Sequence, residues 1–271
     1  MSFTEHSKSA DMTPINLPDY KDEPEAYEIE EHARPDEMLM LMIARDTTIG
    51  ILDSCKKAAV LDLCCGTGLS LEGIVDHPNI SIVAGVDISV PYLKFAKQRF
   101  SSYSRQPLLI HGDVVSAPLP RSHWDIVILA SAYHHIEDNR KVQFLSRVRN
   151  LLGSSGYAVM AENILPEYKI NDALDYARSV RQFYSQVLDT AKQKNPELPV
   201  HVEKLIHRVA QYGCDGEYEY KVSLPLLHHD LIASGLCIVD QRRVWPDNNT
   251  SLGTGGNYVF TICSSVREIP R

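Results

Sequence analysis

The hydrophobic pattern alternates, from position 58 onward, between short continuous apolar runs and amphipathic segments. The apolar runs are "AAVLDL", "SIVAGVDI", "PLLIHGD", "DIVILA" and "YAVMAEN". Segments such as "PYLKFAKQRF" and "KVQFLSRVRNLL" lie between them and place apolar residues at helical spacing. A strand that is apolar at every position is buried on both faces. The pattern therefore predicts an α/β fold with a parallel sheet covered by helices on each side.

The pattern changes after the fifth apolar run. Apolar residues between 169 and 221 recur at helical spacing, which predicts an inserted helical lid. Two strands follow, "LCIVDQRRVW" and "NYVFTICS", joined by the turn-rich "PDNNTSLGTGG". Because no helix separates these strands, we expect them to pair as an antiparallel hairpin. The core is therefore predicted to comprise residues 58–168 and 222–271.

The region before the sheet divides at about position 18. Residues 1–18 are polar and lack periodicity, which predicts disorder. Residues 19–57 are predicted to form a helical cover, with a helix that begins at Pro35 because proline suits a first helical turn. The acidic residues between 20 and 37 predict a solvated face. The apolar residues expected to pack on the core are Met38, Leu39, Met42 and Ile43.

Charge and composition restrict the partners. The chain has 271 residues, a formal net charge of -8 and a pI near 5.8. This balance argues against nucleic acid, whose phosphates attract Lys and Arg. No stretch is apolar and long enough for a membrane span or a signal peptide, and the six cysteines lack zinc-site spacing. We expect a cytoplasmic protein with free thiols and a small-molecule partner, and the sequence does not indicate an oligomeric state.

Candidate chemistry lies where the predicted strands end. In "VLDLCCGTG" the first strand breaks into a turn whose Gly66 and Gly68 let a ligand approach the backbone. Asp87 ends the second strand and Asp113 follows the third. A carboxylate at the second strand end can accept hydrogen bonds from ribose hydroxyls. Because ligands of open parallel sheets lie beyond the carboxyl ends of the strands, these residues together predict a nucleoside-binding edge.

The sequence here resembles the class I S-adenosylmethionine-dependent methyltransferases, over residues 58 to about 164 and again over 230–264. The resemblance implies a Rossmann-like seven-stranded sheet whose last strand is antiparallel. It also implies that the 64–68 turn meets the methionine half of S-adenosylmethionine. The cofactor-binding residues implied in this way are Asp62, Cys64, Gly66, Gly68, Asp87 (ribose), Ile88, Asp113 and Val114 (adenine), and Ala130.

One residue departs from the family pattern. Cys64 stands where the family usually has its first glycine. A small side chain fits there if the backbone φ is negative, and we expect this geometry. Because Cys64 and Cys65 end a buried strand, both are expected to be structural thiols rather than nucleophiles.

Three other functions compete with methyl transfer. A dinucleotide dehydrogenase would want a third glycine in the turn, where this chain has the bulky Leu71. Aminopropyl transfer would need several acids to hold a polyamine, and "DEPEAYEIEE" keeps this alternative open. A catalytically silent S-adenosylmethionine-binding regulatory or assembly protein would keep Asp87 and Asp113 but would not need a closed, polar-lined acceptor cavity.

The expected methyl transfer needs alignment and, for some acceptors, a base. His134 and His135, in "SAYHHIED", end the fourth strand, and one of them is expected to face the acceptor. Glu162 ends the fifth strand and faces the same crevice. A structural role for each of the three remains open. No acidic or cysteine set accompanies the histidines at metal-site spacing, so no metal is predicted.

The acceptor is expected to be a small molecule. The chain has no N-P-P-Y or D-P-P-Y motif of the kind that marks methylation of nucleic-acid bases, and no basic tract. The lid should close over the crevice and exclude water. Residues expected to line the acceptor pocket are Tyr133, Tyr176, Phe183 and Tyr184, although aromatic residues at helical spacing also serve as core.

Overall fold

A computed structural model describes residues 23–247 and 252–264. Seven strands form one sheet in the order β3-β2-β1-β4-β5-β7-β6. Strands β1 to β5 are parallel, and β7 runs antiparallel to both β5 and β6. The predicted antiparallel hairpin and antiparallel last strand are therefore confirmed. The strands are β1 Ala58–Leu63, β2 Ile80–Asp87, β3 Leu108–His111, β4 Trp124–Ala130, β5 Leu152–Ile164, β6 Leu236–Trp245 and β7 Gly256–Ser264.

Seven α-helices accompany the sheet in the described part of the chain. Two precede β1, two alternate with strands, two lie between β5 and β6, and one leads into β6. They are α1 Pro24–Ala33, α2 Pro35–Asp53, α3 Val90–Arg99, α4 Lys141–Leu151, α5 Ala173–Lys194, α6 Val200–Asp215 and α7 Leu224–Ala233. None of these described helices combines the length and the apolarity that a membrane span requires.

The sheet is buried on both faces, as continuous apolar strands require. Every residue of β1 is buried. Successive side chains point to opposite faces, so Leu61 joins one core with Phe144 of α4, while Val60 joins another with Met40 of α2. A third apolar cluster joins α5 and α6 to Trp245 of β6.

The helix that begins at Pro35 is confirmed, but its predicted buried face is wrong. Its buried line runs through Met40, Ala44, Thr48 and Leu52, and Met42 is 43% exposed. Positions 38–43 read "MLMLMI", six apolar residues in a row. Such a run places apolar side chains on every side of the helix, so the sequence does not show which face is buried. Packing against the sheet determines that face.

The turn after β1 also differs from expectation. The segment "LSLEGIV" follows the glycine turn, where a βαβ pattern predicts a helix. The structure instead has a single 3-10 turn, Leu69–Leu71, followed by non-helical turns. Gly73 adopts a φ of 79°, a left-handed conformation at which an α-helix cannot continue. The predicted disorder of residues 1–18 lies outside the described residues.

Candidate functional site

A cavity lies at the carboxyl ends of β1, β2 and β4, and we call it the strand-edge cavity. Four of the predicted cofactor-binding residues line it: Cys64, Gly66, Asp87 and Ala130. Its wall also includes residues that sequence reasoning did not single out: Tyr27, Thr67, Tyr92, Ser131 and Tyr218. His135 lines it as well. A cavity therefore lies at the edge of the sheet that the strand ends predicted.

Backbone strain is concentrated around the strand-edge cavity. The described residues with a positive φ that are not glycine are Cys64, Ser131, Asn171 and Tyr218, and all but Asn171 line this cavity. Such conformations cost about 1–3 kcal/mol each and cluster at functional sites. The expected negative φ at Cys64 is wrong, since its φ is 62°. Cys64 therefore adopts the conformation of the glycine that it replaces.

The glycine turn is held by close packing. Gly68 has a φ of 82°, and a Cβ built there would lie 2.5 Å from Cε2 of Phe100. A Cβ on Gly66 would meet only Tyr92, at 3.7 Å, although its φ of 50° still favours glycine. Burial raises the pKa of the Cys64 and Cys65 thiols, which keeps both protonated.

Asp87 connects the turn to the second strand. One carboxylate oxygen accepts from the Gly66 amide at 2.8 Å and the other from the Ser89 amide at 2.8 Å. Burial raises the pKa of Asp87. Each carboxylate oxygen has a second lone pair that can accept a hydroxyl of a ligand in the cavity.

Asp62 lies beneath the turn and is fully buried. Its Oδ2 accepts from the Ser70 hydroxyl, whereas its Oδ1 has no hydrogen-bond partner within residues 23–247 and 252–264. Burial raises the pKa of Asp62 to about 7. A buried carboxylate with an unused acceptor fits a cationic group above the turn.

The third strand end looks different from the expected adenine site. Asp113 forms an ion pair with Arg140, and its other oxygen accepts from the Val115 amide at 2.8 Å. Asp113, the buried Val114 and Ile88, which is 71% exposed, do not line the strand-edge cavity. The structure therefore brings together the residues of β1 and β2, while Asp113 is held by α4's preceding turn.

A second cavity adjoins the first, and we call it the acidic cavity. Its walls carry Glu30, Glu31, Glu37 and Glu219, with the cations Arg34 and Lys221. It shares Tyr27, Ser131 and His135 with the strand-edge cavity. The solvated face predicted for the acidic segment is therefore wrong, because Glu30, Glu31, Asp36 and Glu37 are buried.

Arg34 explains why these acids can be buried. It is 3% exposed, and its guanidinium donates to Glu30 at 2.7 Å and to Glu37 at 2.6 Å. Glu37 also accepts from the Ser131 hydroxyl at 2.5 Å and from the Asn163 amide group at 2.8 Å. These bonds tie α1 and α2 to the ends of β4 and β5.

His134 and Glu162 form a buried pair. The imidazole Nδ1 contacts Glu162 Oε1, and Glu162 Oε2 accepts from the Tyr133 amide at 3.0 Å. Burial, together with the charge of Lys221, lowers the pKa of His134 well below its usual range. Burial also raises the pKa of Glu162. The His134 imidazole is therefore neutral and fixed in place by Glu162, so it contributes to the structure of the site.

His135 lies at the junction of the two cavities. Its Nδ1 is 3.0 Å from the carbonyl oxygen of Tyr218, to which it can donate. In that tautomer the other ring nitrogen, Nε2, carries the lone pair and can accept a proton. His135 thus has both the position and the free ring nitrogen that a base requires.

Glu219 joins the histidines from the end of the inserted segment. Ligand atoms of His134, His135 and Glu219 all lie within 4.8 Å of one another, a grouping that could hold a metal. However, Lys221 donates to Glu219 at 2.6 Å and supplies the positive charge. Burial opposes ionisation of Glu219, but the charge of Lys221 outweighs it and lowers the pKa of Glu219.

The four aromatic residues expected at the acceptor are dispersed. Tyr184 lines the acidic cavity, but Phe183 is core. Tyr176 lines a separate cleft beside Asp230. Tyr133 is fully buried and donates its hydroxyl to Asp230 at 2.5 Å. The structure thus brings only Tyr184 to the two adjoining cavities.

Comparison with known proteins agrees with this geometry. Residues 60–156 match the model of a methyltransferase domain. An uncharacterized methyltransferase of Mycobacterium bovis is 34% identical over 110 residues, covering 41% of this chain and 53% of that protein. A demethylmenaquinone methyltransferase of Bacillus licheniformis is 32% identical over 124 residues, covering 45% and 52%. Residues 60–156 are thus similar to the methyltransferase domain of S-adenosylmethionine-dependent methyltransferases.

The whole fold agrees with this assignment. An S-adenosylmethionine-dependent methyltransferase of Clostridium acetobutylicum has a similar structure, with a TM-score of 0.59 at 14% identity, over 91% of this chain and 99% of that one. The chain spans about half the length of the curated relatives it matches. The cofactor of this methyltransferase family is S-adenosylmethionine.

The residues at the strand-edge cavity fit that cofactor. Asp87 offers free lone pairs toward the strand-edge cavity, and Asp62 has an unused oxygen beneath the turn. Several wall residues were missed from the sequence: Tyr27, Arg34, Ser131, Tyr218 and Glu219. Apart from Ser131, which directly follows β4, they come from segments far from the strand ends, and no motif marks them. Only the positive φ of Ser131 and Tyr218 singles them out, and φ is a property of the structure.

Proposed function

We propose that this chain transfers a methyl group from S-adenosylmethionine to a small-molecule acceptor. The observation that carries this proposal is the junction of the two cavities. The strand-edge cavity has the glycine turn and Asp87, the acidic cavity has buried polar walls, and His135 lines both. A cofactor and an acceptor bound side by side would meet at His135.

The strand-edge cavity is the proposed cofactor site. Asp87 would accept ribose hydroxyls, and Asp62 would favour the positively charged end of the cofactor. The strained turn keeps the backbone amides of residues 64–68 fixed beside it. When bound, S-adenosylmethionine supplies an electrophilic methyl group on a sulfonium. The adenine role of Asp113 would require Arg140 to share its carboxylate.

His135 is the proposed base. As the acceptor's lone pair forms a bond to the methyl carbon, the carbon–sulfur bond breaks and the acceptor becomes more acidic. Nε2 of His135 would take the released proton while Nδ1 stays bonded to the Tyr218 carbonyl. His134 would act as a positioning residue, since Glu162 fixes its ring and keeps the adjacent turn in place.

The enclosure of the acidic cavity supports a small acceptor. Its walls come from α1, α2, the inserted helices and the segment that carries Glu219. A catalytically silent cofactor-binding protein would not need such a closed, polar-lined cavity. The Bacillus licheniformis relative is a demethylmenaquinone methyltransferase, whose acceptor is a small organic molecule. Alignment in a site that excludes water is the main aid that methyl transfer needs.

Calorimetry with S-adenosylhomocysteine tests the cofactor site. We expect binding to the wild-type chain, and Asp87→Ala should weaken it by roughly 10- to 150-fold, as loss of about 1.5–3 kcal/mol implies. The exposed Asp189→Asn is the matched control and should bind normally. Binding of NAD without binding of S-adenosylhomocysteine would overturn the proposal.

Turnover tests the base. With acceptors screened by transfer of a labelled methyl group, His135→Ala should lose about 100-fold or more in rate while cofactor affinity is unchanged. His134→Ala should lower stability and turnover together. Normal turnover in His135→Ala would show that His135 is not the base and that catalysis rests on substrate alignment alone.

A further inference from the structure

The acidic cavity contains more acceptor atoms than its own donors satisfy. Glu219 is paired with Lys221 at 2.6 Å, and Glu30 and Glu37 share Arg34 at 2.7 and 2.6 Å. Four carboxylates thus face two permanent cations. Buried carboxylates need cationic or hydrogen-bonding partners, so this arrangement favours a third positive charge.

Glu31 is the acid that is left over. It is 4% exposed, and its Oε1 lies 3.7 Å from Arg34, beyond hydrogen-bond distance. Its Oε2 has no partner anywhere in the described ranges, 23–247 and 252–264. Glu31 lines the acidic cavity, so an unused buried acceptor faces the space where an acceptor molecule would lie.

Tyr184 provides a second, independent sign. This tyrosine is buried in α5, and its hydroxyl also lacks a hydrogen-bond partner among the residues described. Buried hydroxyls are nearly always hydrogen-bonded, so one that opens on a cavity indicates a polar ligand. The ring of Tyr27 lines the same space and could face a cation.

We infer that the acidic cavity binds the ammonium group of a small amine, held by Glu31 and Tyr184. This inference rests on the proposed function and adds the chemical class of the acceptor. A protonated amine has three N–H donors and no acceptor, which matches the unused oxygens of Glu31 and Tyr184. Because a protonated nitrogen has no lone pair, this group anchors the molecule, and a second group of the same molecule receives the methyl group.

The other ligand charges fit less well. Among the described residues that line this cavity, the only unpartnered buried donor for a carboxylate ligand is the Nε of Arg34, and three glutamates surround that guanidinium. A neutral alcohol would satisfy hydrogen bonds, but because burial raises the pKa of Glu31, only a cation would stabilise that side chain in its ionised form. The amine therefore meets both requirements.

The experiment measures binding of three probes of equal length: n-butylamine, 1-butanol and butyrate. Each is titrated into the full chain saturated with S-adenosylhomocysteine, and binding is followed by ligand-observed NMR. We expect n-butylamine to bind at least about tenfold more tightly than 1-butanol, and butyrate not to bind. Equal binding of amine and alcohol, or preferred binding of butyrate at Arg34, would overturn the inference.

Two variants locate the site. Glu31→Gln should weaken the binding of n-butylamine by about 10- to 100-fold, as expected for loss of a hydrogen bond to a charged group. Tyr184→Phe removes only the unpartnered hydroxyl, so this variant should fold normally and bind n-butylamine severalfold more weakly. Glu203→Gln, an acid on the exposed face of α6, is the control and should bind like wild type. Unchanged amine binding in both site variants would overturn the assignment.

The outcomes separate this inference from the proposed function. If S-adenosylhomocysteine binds and n-butylamine does not, the amine site is wrong and the cofactor site stands. If n-butylamine, titrated without S-adenosylhomocysteine, binds through Glu31 while S-adenosylhomocysteine does not bind, the cavity is a cation site and the proposed methyl transfer is wrong. The affinity of Glu31→Gln for S-adenosylhomocysteine serves as the check on its fold.

Discussion

The strand-edge cavity and the acidic cavity lie side by side but are built in different ways. The first lies at the ends of β1, β2 and β4, and its shape depends on backbone conformation. The second is formed by side chains from α1, α2, α5 and the segment after α6, and it depends on charge pairing. Residues such as His135 belong to both.

Their buried acids differ accordingly. In the acidic cavity Arg34 compensates three glutamates within 4 Å. Beneath the strand-edge cavity, Asp62 has one hydroxyl partner and no ion pair in the described chain. Pairing with Arg34 stabilises the buried charges of the acidic cavity, although burial still raises the pKa of Glu31 there. Asp62 has no such pairing, and burial outweighs the Ser70 bond and raises its pKa. The predictions below test this contrast.

The largest effect is expected from Arg34→Ala. This change leaves Glu30 and Glu37 buried without their cation, and breaking a buried ion pair costs about 3–5 kcal/mol. Denaturant unfolding measures the free energy. Arg178→Ala, which breaks an exposed ion pair, should leave stability unchanged within error. A loss below about 1 kcal/mol for Arg34→Ala would mean that the acids are held by other bonds.

The second effect concerns Asp62 and pH. Its folded pKa of about 7 lies above the unfolded value of about 3.9. Its contribution to stability is therefore fully present below pH 4 and is lost as pH rises through 7, a difference of roughly 4 kcal/mol. Unfolding curves from pH 4 to 8 should show this decline in wild type relative to Asp62→Asn.

The control for Asp62 is the exposed Asp189→Asn, whose pH profile should follow that of wild type. Parallel profiles for wild type and Asp62→Asn would show that Asp62 is charged throughout. The contrast between paired and unpaired buried acids would then be lost.

The third effect separates two glycines of the turn. Gly68→Ala combines a left-handed φ with a Cβ at 2.5 Å from Phe100, and should destabilise by about 2–3 kcal/mol. Gly66→Ala has the same kind of φ but open space, so about 1 kcal/mol is expected. Thermal unfolding of the pair measures the difference. Equal losses would show that packing on Phe100 is irrelevant.

The smallest effect is expected at Cys64. Cys64→Gly relieves a left-handed cysteine but loses sulfur packing and adds freedom to the unfolded chain, so stability should change by less than about 1 kcal/mol. Affinity for S-adenosylhomocysteine should stay the same. Cys65→Gly should cost more, because the Cys65 sulfur fills the space beside Gly85. Loss of turnover in Cys64→Gly with an intact fold would indicate a chemical role for the thiol.

Much of the fold could be predicted from the sequence. Continuous apolar strands, the helical insertion and the final hairpin each follow from local pattern, and the parallel sheet with its antiparallel last strand is confirmed. The strand-edge residues Gly66 and Asp87 could also be predicted, because strand ends in a parallel sheet meet at one edge. The periodicity of apolar residues did not identify the buried face of α2, because every residue of "MLMLMI" is apolar.

The acidic cavity could not be predicted in the same way. An acidic segment such as "DEPEAYEIEE" has the same composition whether it faces water or surrounds Arg34. Its burial depends on hydrogen bonds that Arg34, Ser131 and Asn163 all donate to Glu37. Ser131 and Asn163 lie far from Glu37 in the sequence.

The sequence by itself determined the sheet, the resemblance to methyltransferases and the edge at which the strand-edge cavity lies, because these depend on local periodicity and on residues at strand ends. Only the tertiary structure decided the left-handed backbone at Cys64, the division of labour between His134 and His135, and the unused oxygens of Glu31 and Tyr184. Those features arise from long-range packing, in which each side chain is satisfied or left unsatisfied by partners that no local pattern specifies.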